Sequence, residues 1–152
     1  METLEMNARF SMKAVQPAAY KAINALENYL ETTSISPFHH ELIRIRASQL
    51  NGCAYCVDSH TNDARKLGES ERRLTLIAVW KEAQDIFTED ERTILALTEE
   101  LTVIHQHGLT QPTYEKAIAV FGEEKTAQIM MAVITINAWN RIGVGLKMKP
   151  VF

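Results

Sequence analysis

The chain has 152 residues, 46% of them hydrophobic, and carries 16 basic against 19 acidic side chains for a formal charge of −3. That length and apolar content suit one globular domain with a core that needs no disulfide staples. The charges are interspersed without a basic block, so a nucleic-acid or anionic-membrane partner is not expected. The first fifteen residues mix Glu2, Glu5, Arg9 and Lys13 with isolated apolar residues, unlike a secretory leader. The apolar run Ile129 to Ile134 is far shorter than the roughly 18 residues a membrane span needs. A soluble, cytoplasmic protein is the expectation. In a reducing compartment a lone Cys-x-x-Cys is catalytic or metal-binding more often than it is a structural bridge.

After a polar start, Pro17 to Glu31 places Tyr20, Ile23, Ala25, Leu26 and Leu30 at helical spacing. Thr32 to Ser36 breaks that helix. Ser36 and Pro37 form an N-cap and first-turn pair, opening a helix through Leu42, Ile43, Ile45 and Leu50 to the turn Asn51-Gly52. A helix from about Cys53 to Leu67 follows at once and stops at Gly68. Ser70 caps the next, with Leu74, Ile77, Ala78 and Trp80 toward the core and an end near Gln84. Thr88-Glu89-Asp90-Glu91 is a capping box. It starts a long helix carrying Ile94, Leu95, Leu97, Leu101 and Ile104 that ends before Gly108. Thr110 with Pro112 begins a short helix to Phe121. Gly122 interrupts, and Glu123 to about Gly143 is the last helix, apolar on most sides and so central in the core or in a subunit interface. The expected fold is all-α, a single domain over 1–152 with six or seven helices and no sheet.

Both cysteines and one histidine fall within Asn51 to His60. With about 100° of rotation per residue, a helix starting at Cys53 gathers Cys53, Cys56 and His60 within roughly 60° of arc. Cysteines three apart on a helix also meet the roughly 4.4–6.8 Å Cα window of a disulfide, so the pair can cycle between dithiol and disulfide. The start of a helix favours a thiolate, which selects Cys53 as nucleophile. His60 stands one turn beyond Cys56 and selects that residue instead. Glu41 lies about 15 Å before the Asn51-Gly52 turn and His60 about 13 Å after it, at 1.5 Å per residue, so an antiparallel hairpin would bring them level. A carboxylate there would fix the imidazole tautomer and raise its basicity.

Plainer roles compete at each position. An acid near a helix start, such as Glu41, is expected for dipole reasons alone. His39, His40, His105 and His107 read as surface or core residues, Tyr55 as a packing residue, and Arg44 and Arg46 as solvated helix positions. Met130, Met131 and Trp139 read as core or interface. Zinc on Cys53, Cys56 and His60, with Glu41 or His39 as fourth ligand, is a further reading; the absence of a second cysteine pair counts against it. No Gly-rich phosphate loop is present.

Glu41, then Cys53-Ala54-Tyr55-Cys56 twelve residues on, then His60, resembles the Glu-x11-Cys-x-x-Cys-x3-His signature of the AhpD-like alkylhydroperoxidases, within the carboxymuconolactone decarboxylase superfamily. The resemblance is strongest over Pro37 to Gly68, and Thr135 to Arg141 also looks like the late helix of that group. It implies an all-helical fold assembled into homo-oligomers, trimers or hexamers built from trimers. It also implies reduction of hydroperoxides without metal or flavin. By resemblance Cys56 attacks the peroxide, Cys53 resolves it, and Glu41 with His60 relays the proton. The electron donor would be an external dithiol, a lipoyl or thioredoxin-like protein. One departure is Tyr55, where the best-known members have a second histidine. Other readings are a thiol redox sensor without significant turnover and a decarboxylase-like enzyme of the same superfamily.

Overall fold

The structure, a computed structural model, describes residues 9–151. The beginning of the polar start, up to residue 8, lies outside them. Among the described residues there is no strand, and eight α-helices account for most of the chain. They are α1 (Met12–Val15), α2 (Pro17–Glu31), α3 (Pro37–Asn51), α4 (Ala54–Lys66), α5 (Glu71–Leu76), α6 (Glu89–Thr102), α7 (Ile104–His107) and α8 (Gln111–Gly145). Among the described residues no helix is long and apolar enough to cross a membrane.

The organising element is α3, which packs against α4, α6 and α8. Its residues His40 to Ile43, Ile45, Ala47 and Ser48 are all buried, so it presents almost no solvent face. Around it lie Ile94, Leu95 and Leu97 of α6 and Ile129, Val133 and Ile136 of α8, each essentially fully buried. Burying one such aliphatic side chain contributes about 1.5–3 kcal/mol. α6 and α8 therefore grip α3 from two sides, and α4 folds back along it as the second arm of a hairpin.

The helix boundaries follow from local chemistry. Ser36, Ser70 and Thr88 each accept a backbone N–H with the side-chain oxygen, and Thr88 with Glu91 completes the reciprocal capping box. Such a cap stabilises a helix by about 1 kcal/mol. Gly52 at φ 67° takes the left-handed position that ends α3 and lets α4 start two residues later. Gly122, at φ 78° and ψ 174°, breaks α8 where the sequence placed an interruption.

Elsewhere the six or seven helices expected are exceeded by two single turns. α1 lies in the polar start, where no periodicity announces it. The helix expected to run to Gln84 ends at Leu76 and continues as 3₁₀ turns over Ile77–Glu82 and Gln84–Ile86, with Val79 at a non-helical φ of −128°. Leu74 is buried from α5, and the tighter turn still buries Ile77 and Trp80 but leaves Ala78 exposed. The long helix after Thr88 stops at Thr102. Val103 leaves helical geometry, and Ile104 on α7 is turned outward, 57% exposed, instead of joining the core.

Candidate functional site

Cys53 is the N-cap of α4, not its first helical residue. Its Sγ accepts the backbone N–H of Cys56 at 3.3 Å, the work an N-cap serine usually does. The two cysteines, with Cα atoms 5.3 Å apart, are joined as a disulfide. Both are buried. The expected convergence of two thiols and a base on one face is realised only in part. Cys56 and His60 line one cavity, whereas Cys53, displaced to the cap position, lines a shallower groove on another side with Ala54, Val57 and Thr61.

Glu41 and His60 stand level across the hairpin, as the ruler along it put them. His60 Nδ1 lies 2.9 Å from Glu41 Oε2, across α3 and α4. Arg44, read from sequence as solvated, instead donates from Nη1 to Glu41 Oε1 at 2.6 Å and from Nη2 to Glu27 Oε2 at 2.8 Å. Arg46, read likewise, is drawn into an ion pair with Glu99 at 2.9 Å. Burial pushes the Glu41 carboxyl upward, but the bond from His60 and the Arg44 guanidinium outweigh it and hold the group below the ordinary carboxylate value. Glu41 is therefore an anion at neutral pH. An anion at Oε2 makes Nδ1 the donor and leaves Nε2 as the basic ring nitrogen.

Three features of the site were not read from the sequence, although Asn137, Trp139 and Asn140 fall in the segment that resembles the late helix of the group. Glu27 on α2 accepts from both Arg44 and Trp139 Nε1, at 2.8 and 2.9 Å, and so couples α2, α3 and α8. Gly143 backs the disulfide: a Cβ built on it would stand 2.8 Å from Cys53 Sγ and 3.4 Å from Cys56 Sγ. Only a residue without a side chain lets α8 approach that closely. Third, Asn51 donates to Asn137 and Asn140, each at 2.9 Å, and Asn140 donates to Ser48 at 2.9 Å, pinning the turn before Cys53 to α8.

The cavity on the Cys56 side is about 560 Å³ and is walled by α2, α4, the end of α8 and the segment from Arg9 to Lys13. Trp139 belongs to this wall as well as to the packing predicted for it, meeting Tyr20 edge-on at 5.3 Å. Tyr55 lines it too.

For a metal, the sequence offered both cysteines with His60 and either Glu41 or His39. The structure does not gather that set. The sulfurs are bonded to each other, and among the described residues those whose ligand atoms approach within 4.8 Å are Glu41, His60 and Asp63. Glu41 there already meets the Arg44 guanidinium, a poor neighbour for a cation. His39 and His40 are largely withdrawn from solvent, and His105 and His107 are exposed, the plain roles expected of them.

The sequence profile of the carboxymuconolactone decarboxylase family matches residues 17–100. The chain is 36% identical over 141 residues to the uncharacterized protein YdfG of Bacillus subtilis strain 168, spanning 93% of this chain and 95% of that one. It superposes with a TM-score of 0.92, at 36% identity, on a protein of unknown function from Agrobacterium tumefaciens suggested to be the antioxidant defence protein AhpD. That match covers 96% of this chain and 99% of that one. An uncharacterized peroxidase-related protein from Ralstonia eutropha JMP134, described as an alkylhydroperoxidase AhpD core, matches with a TM-score of 0.78 over 92% of this chain and 74% of that one. At 20% identity this last likeness speaks for the fold alone.

Proposed function

The chain belongs to the carboxymuconolactone decarboxylase family, on its AhpD-like side, and from that premise we propose that it is a thiol peroxidase reducing hydroperoxides through the Cys53–Cys56 dithiol/disulfide couple. The observation that carries the reading is that Cys56 and His60 line one cavity while the Glu41 carboxylate holds the far nitrogen of that imidazole.

In the reduced protein His60 Nε2 takes the Cys56 thiol proton. The thiolate attacks the terminal oxygen of the hydroperoxide, an S–O bond forms, the O–O bond breaks, and the departing alkoxide recovers the proton from the imidazolium to leave as an alcohol. Cys56 is then a sulfenic acid. The Cys53 sulfur attacks it, the S–S bond forms, the S–O bond breaks, and hydroxide leaves with the Cys53 proton as water. Two thiols thus supply the two electrons that reduce one peroxide. An external dithiol, from a lipoyl or thioredoxin-like protein, returns the disulfide to two thiols by exchange. This cycle requires no metal or flavin.

The reading extends to a cytoplasmic homo-oligomer, trimer or hexamer. Support comes from the exposed apolar residues Ile134 and Val144 on α8, 51% and 47% accessible in the single chain.

The test is peroxide consumption with a dithiol donor. Cys56→Ser abolishes it while leaving the helical circular dichroism unchanged. Cys53→Ser, which lacks the resolving sulfur, accumulates a sulfenic acid at Cys56, visible as one added oxygen in the intact mass. Full activity in Cys56→Ser overturns the proposal.

A further inference from the structure

The cavity that reaches Cys56 is amphipathic in a directed way. Its walls are apolar, formed by Phe10, Tyr20, Trp139, Ile142, Leu146 and Met148, and its volume of about 560 Å³ lies within the range of sites for sizeable organic ligands. Hydrogen peroxide would fill little of it. Two cations, Arg9 and Lys13, stand at the exposed rim.

Neither meets a carboxylate among the described residues. Arg9 is fixed by its backbone, N–H to Leu146 O at 3.2 Å, and by one guanidinium nitrogen, Nη1 to Gly145 O at 2.9 Å, which leaves the rest of its donor fork available. Lys13 Nζ rests 5.8 Å from the Tyr20 ring centroid. The one acidic residue in the described lining, Glu27, already accepts from Trp139 and from Arg44, which it shares with Glu41. Among the described lining residues the cations without a carboxylate partner are therefore Arg9 and Lys13, both exposed, whereas Cys56 is buried.

We infer that the substrates of this site are apolar hydroperoxides bearing a carboxylate, with Arg9 and Lys13 as specificity-determining residues that hold the carboxylate at the rim while the hydroperoxide reaches Cys56. The inference rests on the peroxidase reading. It requires an apolar spacer between the carboxylate and the O–O bond, as in an oxidised acyl chain, and so disfavours peroxycarboxylic acids, in which the two groups coincide. Charge-assisted hydrogen bonds of this kind are among the stronger polar contacts, and loss of one lowers affinity by about tenfold or more.

The experiment separates binding from chemistry. Calorimetry on the full-length oxidised protein compares octanoate with 1-octanol, which share the chain and differ in the charged end. Octanoate binds at least about tenfold tighter, and the preference shrinks in Lys13→Gln, which leaves the Arg9 anchor to α8 intact, and in Arg9→Gln. Reduced protein is then oxidised in a single turnover by linoleic acid hydroperoxide, by its methyl ester and by tert-butyl hydroperoxide. The acid reacts faster than the ester, and in Lys13→Gln the ratio of the two falls toward one. Octanoate binding no tighter than octanol, or equal rates for acid and ester alongside active tert-butyl hydroperoxide turnover, overturns the inference and leaves the peroxidase reading standing. A preference for octanoate with inert thiols toward all three hydroperoxides overturns the peroxidase reading and, with it, the identification of the anion as a hydroperoxide.

Discussion

Glu41 and His60, nineteen residues apart in sequence, meet at 2.9 Å because the Asn51-Gly52 turn folds α4 back along α3 and sets their side chains level. The pairing gives the imidazole one basic nitrogen and one tethered one. His60→Ala is expected to lower kcat by about 10²–10⁴, the usual worth of a positioned proton-transfer group. Glu41→Gln, which keeps an acceptor but not the charge, costs less. Steady-state peroxide consumption compares the two. A Glu41→Gln enzyme as fast as the natural one would show that the carboxylate has no part in proton transfer.

Acidification should destabilise the fold in two separate windows. Burial holds His39 and His40 below the ordinary imidazole value, aided at His40 by the Arg44 guanidinium. As pH falls below about 6.5 the unfolded chain takes up these protons before the folded one does, so stability declines. Glu41, Glu91 and Glu99 are depressed, burial being outweighed by their hydrogen bonds and cationic partners. Their contribution is present above the unfolded carboxylate value of 4.5 and is lost as pH drops through their lower folded values. Urea midpoints across pH 3–8 test both windows. The double variant His39→Gln, His40→Gln flattens the upper one and leaves the lower.

The closeness of Gly143 to the sulfurs makes that position sensitive to redox state. An added methyl would meet Cys53 Sγ, which can swing away when reduced but is tied to Cys56 when oxidised. Gly143→Ala should therefore destabilise the oxidised protein by about 1–3 kcal/mol, the usual cost of overpacking. The reduced protein loses less, since alanine is also the better helix former. Urea unfolding with and without reductant measures the difference. Equal effects in both states would show that α8 shifts freely at that point.

Asn140, 1% exposed, holds both Asn51 and Ser48. Asn140→Ala leaves the buried Ser48 short of a partner and half-buried Asn51 with Asn137 alone, and is expected to cost about 1–3 kcal/mol. Because Asn140 lies one turn before Gly143, the variant should also slow re-formation of the disulfide after peroxide is added. Thiol titration against time reads that rate.

Much of this molecule is legible in its sequence because its helix ends are chemically marked. Ser36-Pro37, the Thr88 capping box, Gly52 and Gly122 each state a boundary in a few adjacent residues, and the structure keeps them. The Glu41–His60 pair was legible for a related reason: a two-helix hairpin with a tight turn converts chain distance into height. What escaped was set by contacts between distant parts of the chain. Arg44 reads as a surface residue until Glu27 arrives from α2, and Gly143 reads as a helix end until it is placed against Cys53, ninety residues earlier. The cap position of Cys53 was hidden by a single residue of register: the helix begins at Ala54, and Cys53 lines a different groove from Cys56 and His60.

The central claim is tested most directly by one turnover. The protein is reduced under inert gas, freed of reductant and given one equivalent of an organic hydroperoxide, while free thiols and intact mass are followed in time. The account predicts rapid loss of both thiols per peroxide and a mass lower by about two hydrogens, the signature of the Cys53–Cys56 disulfide formed at the peroxide's expense. Thiols that persist through the addition, with unchanged mass, would contradict it.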